Sequence, residues 1–428
     1  MANNRVIYQS DALYASREIK STGDFDHVQL RRVQSANYSL TVNRQDVNQF
    51  GQLSRIEAII LESPSVSFDT SYLLGDGFNE QALNFQNSPT FETGFVRGQI
   101  QASSGSNLYI VSAKEGEDIN TTTVSSTNFS TVGIGNAFVT DYTVEASVGS
   151  IPTVTVSFEG TNMNGSAGIS GGIHGFSGIS GVGIDPVAGT PFSTFLASGA
   201  GGEDGATTPF AGNRTGVVLP APSSGLDGSE GVAVATKIPS ALRPGDIDLT
   251  FANADGDAIA DITAGSDGAH VQSVSLSIPL SRTPIERLGS RFAYARVVDF
   301  PIVPTLSVSA IVNETQTNAL TDIINDDTFI SELQFTFKDS DAANTPRASY
   351  KLKNVKLDSE SFSSSIGPNK TVDLTFSVSI GGPTDNTNNV FFSGSNATEP
   401  FSTTRDGSDS PNGGGFPQGL TKGPTAYS

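Results

Sequence analysis

Residues 33–51 read VQSANYSLTVNRQDVNQFG and residues 271–289 read VQSVSLSIPLSRTPIERLG, one pattern written twice. A constant spacing of 238 residues carries Val33 onto Val271 and Gly51 onto Gly289. Between those ends Gln34/Gln272, Ser35/Ser273, Ser39/Ser277 and Arg44/Arg282 are identical. Tyr38/Leu276, Leu40/Ile278, Val42/Leu280, Val47/Ile285 and Phe50/Leu288 stay apolar at matched positions. Further matches follow in the same order. Pro64-Ser-Val-Ser-Phe68 resembles Pro304-Thr-Leu-Ser-Val308, and Leu108–Val111 before KEGED resembles Leu333–Phe337 before KDSD. DYTVEAS…TVTVSF (Asp141 to Phe158) resembles NVKLDSE…TVDLTF (Asn354 to Phe376). Such a chain is constrained to fold as two related units in tandem.

Alternation sets the class of those units. Tyr38, Leu40 and Val42 interleave with Ser39, Thr41 and Asn43, which turns one apolar face inward with period two. Val154, Val156 and Phe158 do the same, as do Leu276, Ile278 and Leu280, and Leu374, Phe376 and Val378. With Thr, Val, Ser and aromatic residues enriched, the reading is mainly β, two antiparallel sandwiches or barrels wet on one face. Leu320, Ile323 and Ile324 have helical spacing and predict a short helix within 318–327; a counterpart is expected near Gly77 to Asn84.

Composition marks the boundaries. A first β domain spans 1–164 and a second 232–382, separated by a Gly/Ser-rich linker or extension at 165–231. The isoleucines scattered through that segment suit an extension packed on a neighbouring subunit. From 383 to 428 the Gly, Ser, Asn, Asp, Thr and Pro content predicts a flexible tail.

The formal net charge of −20 over 428 residues disfavours binding to nucleic acid phosphate. The absence of cysteine excludes disulfides and thiol chemistry, and three histidines leave few ligands for a structural zinc. No run of ~18 apolar residues predicts a membrane helix, and MANNRVIYQSDALYAS lacks the pattern of a secretory signal.

Chemical motifs are weak. Gly168-Ile-Ser-Gly-Gly172 matches the form of a nucleophile elbow, but no helical pattern follows it. Asn253–Asp257 with Asp261 has the look of a calcium loop, yet Ala258 and Ala264 stand where the glycine and the bidentate acid belong. A hairpin tip accounts for that segment. The glycines from 171 to 183 lack the following helix and the lysine of a phosphate cradle. His27, His174 and His270 are far apart, and no carboxylate pair stands out. No catalytic residues, metal ligands or cofactor are expected.

The quoted blocks resemble phage tail tube proteins, best over Asn37 to Tyr72 and Phe138 to Asn162. The resemblance covers most of 28–163 and, more weakly, 240–381. It implies tail-tube-like sandwiches or barrels, each with a short flanking helix, whose inner sheets join around a lumen while a loop or hairpin reaches the adjacent ring. Such proteins usually supply one tube domain per chain and six chains per ring. Two domains per chain reduce the ring to three chains, a pseudo-hexamer. The partners so implied are other copies of the chain, the tape measure protein, DNA passing without specific binding, and a sheath or tail terminator protein. The location implied is the virion tail, after assembly in the host cytoplasm. An acidic lumen wall suits passing DNA.

Within that reading the matched loops are the expected inter-subunit contacts. They are Arg44, Gln45, Asp46, Val47, Asn48 and Phe50 in the first copy, and Arg282, Ile285, Glu286, Arg287 and Leu288 in the second. Apolar residues among charged ones in a strand-end loop call for a partner; the alternative is that Val47 and Phe50 fold back on their own core. A β-sandwich adhesin or carbohydrate binder is the alternative function, disfavoured by the absence of tryptophan. No residue set supports a hydrolase.

Overall fold

The structure is a computed structural model and describes residues 11–19, 24–60, 65–102, 105–113, 130–160, 162–167, 242, 247–252, 270–285, 295–311, 332–338, 346–363 and 371–395. The first half holds β1 (Asp11–Ile19), β2 (Asp24–Gln29), β3 (Val33–Thr41), β4 (Arg44–Val47), β5 (Glu57–Ile60) and β6 (Ser65–Leu73). Two one-turn helices follow, α1 (Phe78–Ala82) and α2 (Arg97–Gln101), then β7 (Ser106–Ser112), β8 (Ser130–Ser147), β9 (Thr153–Gly160) and β10 (Asn162–Ala167). The second half holds β11 (Ile247–Ala252), β12 (His270–Pro279), β13 (Arg282–Ile285), β14 (Ala295–Val298) and β15 (Thr305–Ile311). It continues with β16 (Glu332–Lys338), β17 (Pro346–Lys353), β18 (Lys356–Ser363), β19 (Thr371–Ser377) and β20 (Val390–Gly394). The protein is mainly β, and its strand pairs are antiparallel. Among the described residues the sheets stay open, so the barrel alternative is not realised within one chain.

One strand path explains the repeat. The order β3-β6-β9-β8 is followed without a break by β12-β15-β19-β18. Each four-strand array has the same pairing pattern, and β8 joins β12 edge to edge. Two bulges recur at matched places. The ladder slips at Gln34 between β3 and β6, and at Gln272 between β12 and β15. It slips again at Thr140 between β8 and β9, and at Asp358 between β18 and β19. The shared V-Q-S is therefore the site of a bulge, which bends its strand and increases the local twist.

The second layer repeats too. The first part of β8 pairs with β7 and β10, and its last part with β9 and β12. The strand turns from one sheet to the other near Asn136, at φ 51°. In the second half that strand is divided into β17 and β18, and Asn354, at φ 57°, stands between them. Asparagine tolerates this left-handed backbone through its short polar side chain. The β4–β5 and β13–β14 hairpins also agree in register, Arg44 opposite Ile60 and Arg282 opposite Val298.

Structural pairing corrects two of the sequence matches. Phe68 faces Tyr38 as Leu306 faces Leu276, so the Pro64 and Pro304 blocks match two residues away from the sequence alignment. Val139 faces Phe158 as Leu357 faces Phe376, so Asp141 corresponds to Ser359 rather than Asn354. The true partner of Asn354 is Asn136. Short Ser/Thr/Val strands resemble one another under a two-residue slip, whereas bulges do not.

Alternation fixes what each face meets. Val66, Phe68, Tyr72, Val154, Val156, Tyr142, Leu276, Ile278, Leu306 and Phe376 are buried on the inner face. Such side chains contribute about 1.5–3 kcal/mol each. The helix expected near Gly77 to Asn84 is α1; the one expected at 318–327 lies outside the described residues, as do 168–231. Within the tail expected from 383, Val390, Phe391 and Phe392 are fully buried in β20, and residues 396–428 lie outside the described residues. Gly394 ends that strand against the turn before α1, where an added Cβ would collide with the Asp76 carbonyl oxygen. Gly394→Ala is expected to cost about 1–3 kcal/mol, read from the urea midpoint; an unchanged midpoint would contradict this contact.

Candidate assembly surfaces

Three surfaces follow from this architecture: the joint between halves, the polar face of the long sheet, and the hairpins. The joint is deeper than one strand pair. The segment between α1 and α2 runs along β20: Ser88 N donates to Phe392 O at 2.8 Å and Phe95 N to Val390 O at 2.8 Å. The Asn87 side chain accepts from Gly394 N at 2.8 Å and donates to Gly394 O at 3.2 Å. Phe95 lies in an aromatic cluster from both halves, 4.6 Å from Phe85, 5.0 Å from Tyr142, 5.9 Å from Tyr350 and 5.4 Å from Phe392 between ring centroids.

A polar chain threads that cluster. Tyr72 Oη donates to Glu80 Oε1 at 2.9 Å, Tyr142 Oη approaches the same oxygen at 3.4 Å, and the Tyr142 and Tyr350 hydroxyls are 2.6 Å apart. Glu80 sits on α1, whose five residues are all buried. The helix is anchored by Asn79, which accepts from Arg31 N and donates to Arg31 O at 2.8 and 2.7 Å. Burial pushes the Glu80 carboxyl up to about 7, an effect that the tyrosine hydrogen bonds partly offset. Nothing in the residues around Glu80 marked it beforehand, since polar Asn, Glu and Gln in FNEQALNF give no sign of burial.

The outward face of the eight-stranded path is hydroxyl-rich and acidic. Between the strand ends its side chains are Ser, Thr and Asn, with the carboxylates Asp69, Asp141, Glu145, Glu159 and Asp373. Among the described side chains of its eight strands the lysine is Lys356, at the start of β18, and Arg296 of the β13–β14 hairpin lies against Glu159. Asp141 accepts from Thr143 Oγ1 at 2.9 Å and Ser277 Oγ at 3.5 Å, one from each half. Partial burial raises its carboxyl, and these two hydroxyls counter the rise.

The expected contact residues separate into two groups. Arg44, Gln45, Asp46, Val47, Asn48 and Phe50 are all exposed. The first four form β4, so the turn lies beyond them. Phe50 at 106 % and Leu53 at 110 % stand clear at the tip, so the fold-back alternative does not hold for Phe50. In the second hairpin Ile285 is exposed, but Arg282 is buried. Arg282 donates to the Gln99 carbonyl at 2.7 Å and lies 4.7 Å over the Phe138 ring, both in the first half. Burial and the neighbouring Arg296 lower its guanidinium to about 10. Arg296 in turn pairs with Glu159 at 2.9 Å. Arg282 is thus a contact between halves of one chain. Glu286, Arg287 and Leu288 lie outside the described residues. No cluster of three or more His, Asp or Glu able to hold a metal occurs among the described residues.

No family model and no curated protein matches the sequence. Among solved structures, the tail of an empty gene transfer agent particle, refined helically with C6 symmetry, aligns at 11% identity and a TM-score of 0.24. It covers 33% of this chain and 96% of that one. A crystal structure of Hcp protein aligns at 9% identity with a TM-score of 0.22, over 34% of this chain and 96% of its own. The virion of a native gene transfer agent particle aligns at 13% identity with a TM-score of 0.23, over 36% and 99%.

Proposed function

We propose that the chain is a structural subunit of a phage tail tube, carrying two tandem tube units and closing pseudo-hexameric rings of three copies. The observation that carries this reading is the β8·β12 joint, at which two like four-strand arrays merge into one sheet with a polar, acidic outer face. An array that joins its own twin edge to edge has the geometry for joining further copies, and a closed ring removes the aggregation hazard of open edges. The acidic hydroxyl face becomes the lumen wall, where Asp69, Glu145 and Asp373 repel DNA phosphate in transit. Stacked rings form the conduit in the virion tail. Its partners are other copies, the tape measure protein and passing DNA, with a sheath or terminator protein outside or at the end.

Electron microscopy of the purified protein is expected to show rings or tubes with three-fold chemical symmetry. Monodisperse monomers under every condition tried would overturn the reading. The exposed tip of the β4–β5 hairpin serves ring stacking. Phe50→Asp is expected to stop tube growth while leaving rings and a wild-type melting curve. Tubes of normal length from this variant would remove Phe50 from the contact.

A further inference from the structure

The internal joint specifies how copies meet. We propose that β18 of one copy pairs with β3 of the next, antiparallel and in the register that β8 and β12 use within the chain. This rests on the tube reading above and adds the edges and the residue pairs.

The two ends of the eight-strand path are the edges left over. Among the described residues β3 pairs only with β6, and β18 only with β19. Burial shows what β3 lacks. Leu276 and Ile278, covered by β8, are 0% exposed, whereas their counterparts Tyr38 and Leu40 are 45% and 46% exposed. Two large apolar side chains on the core side of an edge strand are left half uncovered. In the twin strand the cover comes from the neighbouring array. The occupant with the matching shape is the far edge of a second copy, because β18 is to the second array what β8 is to the first.

The bulges turn this likeness into a register. A shift of 238 carries β3 onto β12, and a shift of 218 carries β8 and β9 onto β18 and β19, with all four bulges in step. Within the chain Ser277 faces Thr143, Pro279 faces Asp141, Ile278 faces Tyr142 and Leu276 faces Val144. The same shifts place Ser39 opposite Ser361, Thr41 opposite Ser359, Leu40 opposite Glu360 and Tyr38 opposite Phe362.

The joints differ in polarity. Glu360 replaces Tyr142 on the core side, and Lys356 replaces Phe138 just beyond the ladder. A charge on the inner side of an edge strand discourages promiscuous pairing. The joint between copies is thus the more polar one, suited to forming after each chain has folded. Its contact is heterologous, so it closes a ring or runs on as a filament.

Because the chain has no cysteine, disulfide trapping tests the register cleanly. Directly opposed residues of antiparallel strands lie within disulfide reach. Assembled Ser39→Cys/Ser361→Cys and Thr41→Cys/Ser359→Cys proteins are expected, on oxidation, to give covalent ladders ending at three chains. The slipped pair Ser39→Cys/Ser359→Cys is expected to stay monomeric on a denaturing gel. Rings without links in the matched pairs, or links in the slipped pair alone, overturn the joint and leave the tube reading standing. A wild-type protein that never assembles overturns both. Hydrogen exchange on wild-type rings gives a second readout that needs no variant. The amides of β3 and β18 should gain protection over the monomer, and unchanged exchange counts against the joint.

Discussion

Phe95→Ala is expected to cost about 3–5 kcal/mol, the range for deleting a large buried aromatic side chain. Phe95 is 0% exposed and stacks on Phe85 with ring planes 10° apart. It also meets Tyr142 from the first half, and Tyr350 and Phe392 from the second. Its ring therefore touches the side chains that hold the halves together, and little of the cavity can close, since fixed strands surround it. Against total stabilities of roughly 5–15 kcal/mol, the loss is a large part of what keeps the chain folded. Urea unfolding followed by circular dichroism measures it. A Phe95→Leu variant should lose clearly less, because it refills part of the space. A cost below about 1 kcal/mol for the alanine variant would contradict the packing.

The second large effect is a pH dependence centred on Glu80. Burial raises its carboxyl from 4.5 to about 7 in the folded state. Folding therefore takes up a proton between those two values, and stability falls as pH rises through the window. The effect is absent below about 4.5 and complete above about 7, where it amounts to about 3 kcal/mol. Glu80→Gln keeps a neutral acceptor for the Tyr72 and Tyr142 hydroxyls at every pH. The variant should match the parent near pH 4 and exceed it increasingly up to pH 8. A stability difference that stays flat with pH would show that Glu80 does not hold its proton in the fold. Comparing the two proteins at each pH cancels the other carboxylates, which the variant retains.

Periodicity was the most legible property of this sequence, and it gave the strands of the long sheet along with their inward residues. It could not show that Tyr38 and Leu40 lack a cover, because exposure of an edge depends on which strands lie beside it. The V-Q-S repeat was visible as letters, but a bulge is a property of two paired strands, so its meaning needed the ladder. The Asn136/Asn354 correspondence was hidden behind a five-residue slip among similar short strands. β20 was missed because Val390-Phe-Phe392 follows nine residues of Gly, Pro, Thr, Asp and Asn that read as tail. Arg44 and Arg282 show the limit most directly. They occupy one register position in twin hairpins, yet one is exposed and the other buried, since only the second hairpin has the first half of the chain to pack against. Glu80 was invisible for a similar reason, as its burial comes from strands distant in sequence.

The covalent link between β8 and β12 also has a concentration dependence, or rather lacks one. Their pairing costs no translational freedom and holds at any dilution, because each strand meets the other at the high effective concentration of a tethered partner. The outer edges enjoy no such tether and obey mass action. Dilution would thus sort the joints of a ring into two kinds, parting copy from copy while each eight-stranded sheet stays whole. A ring made this way needs three encounters in place of six.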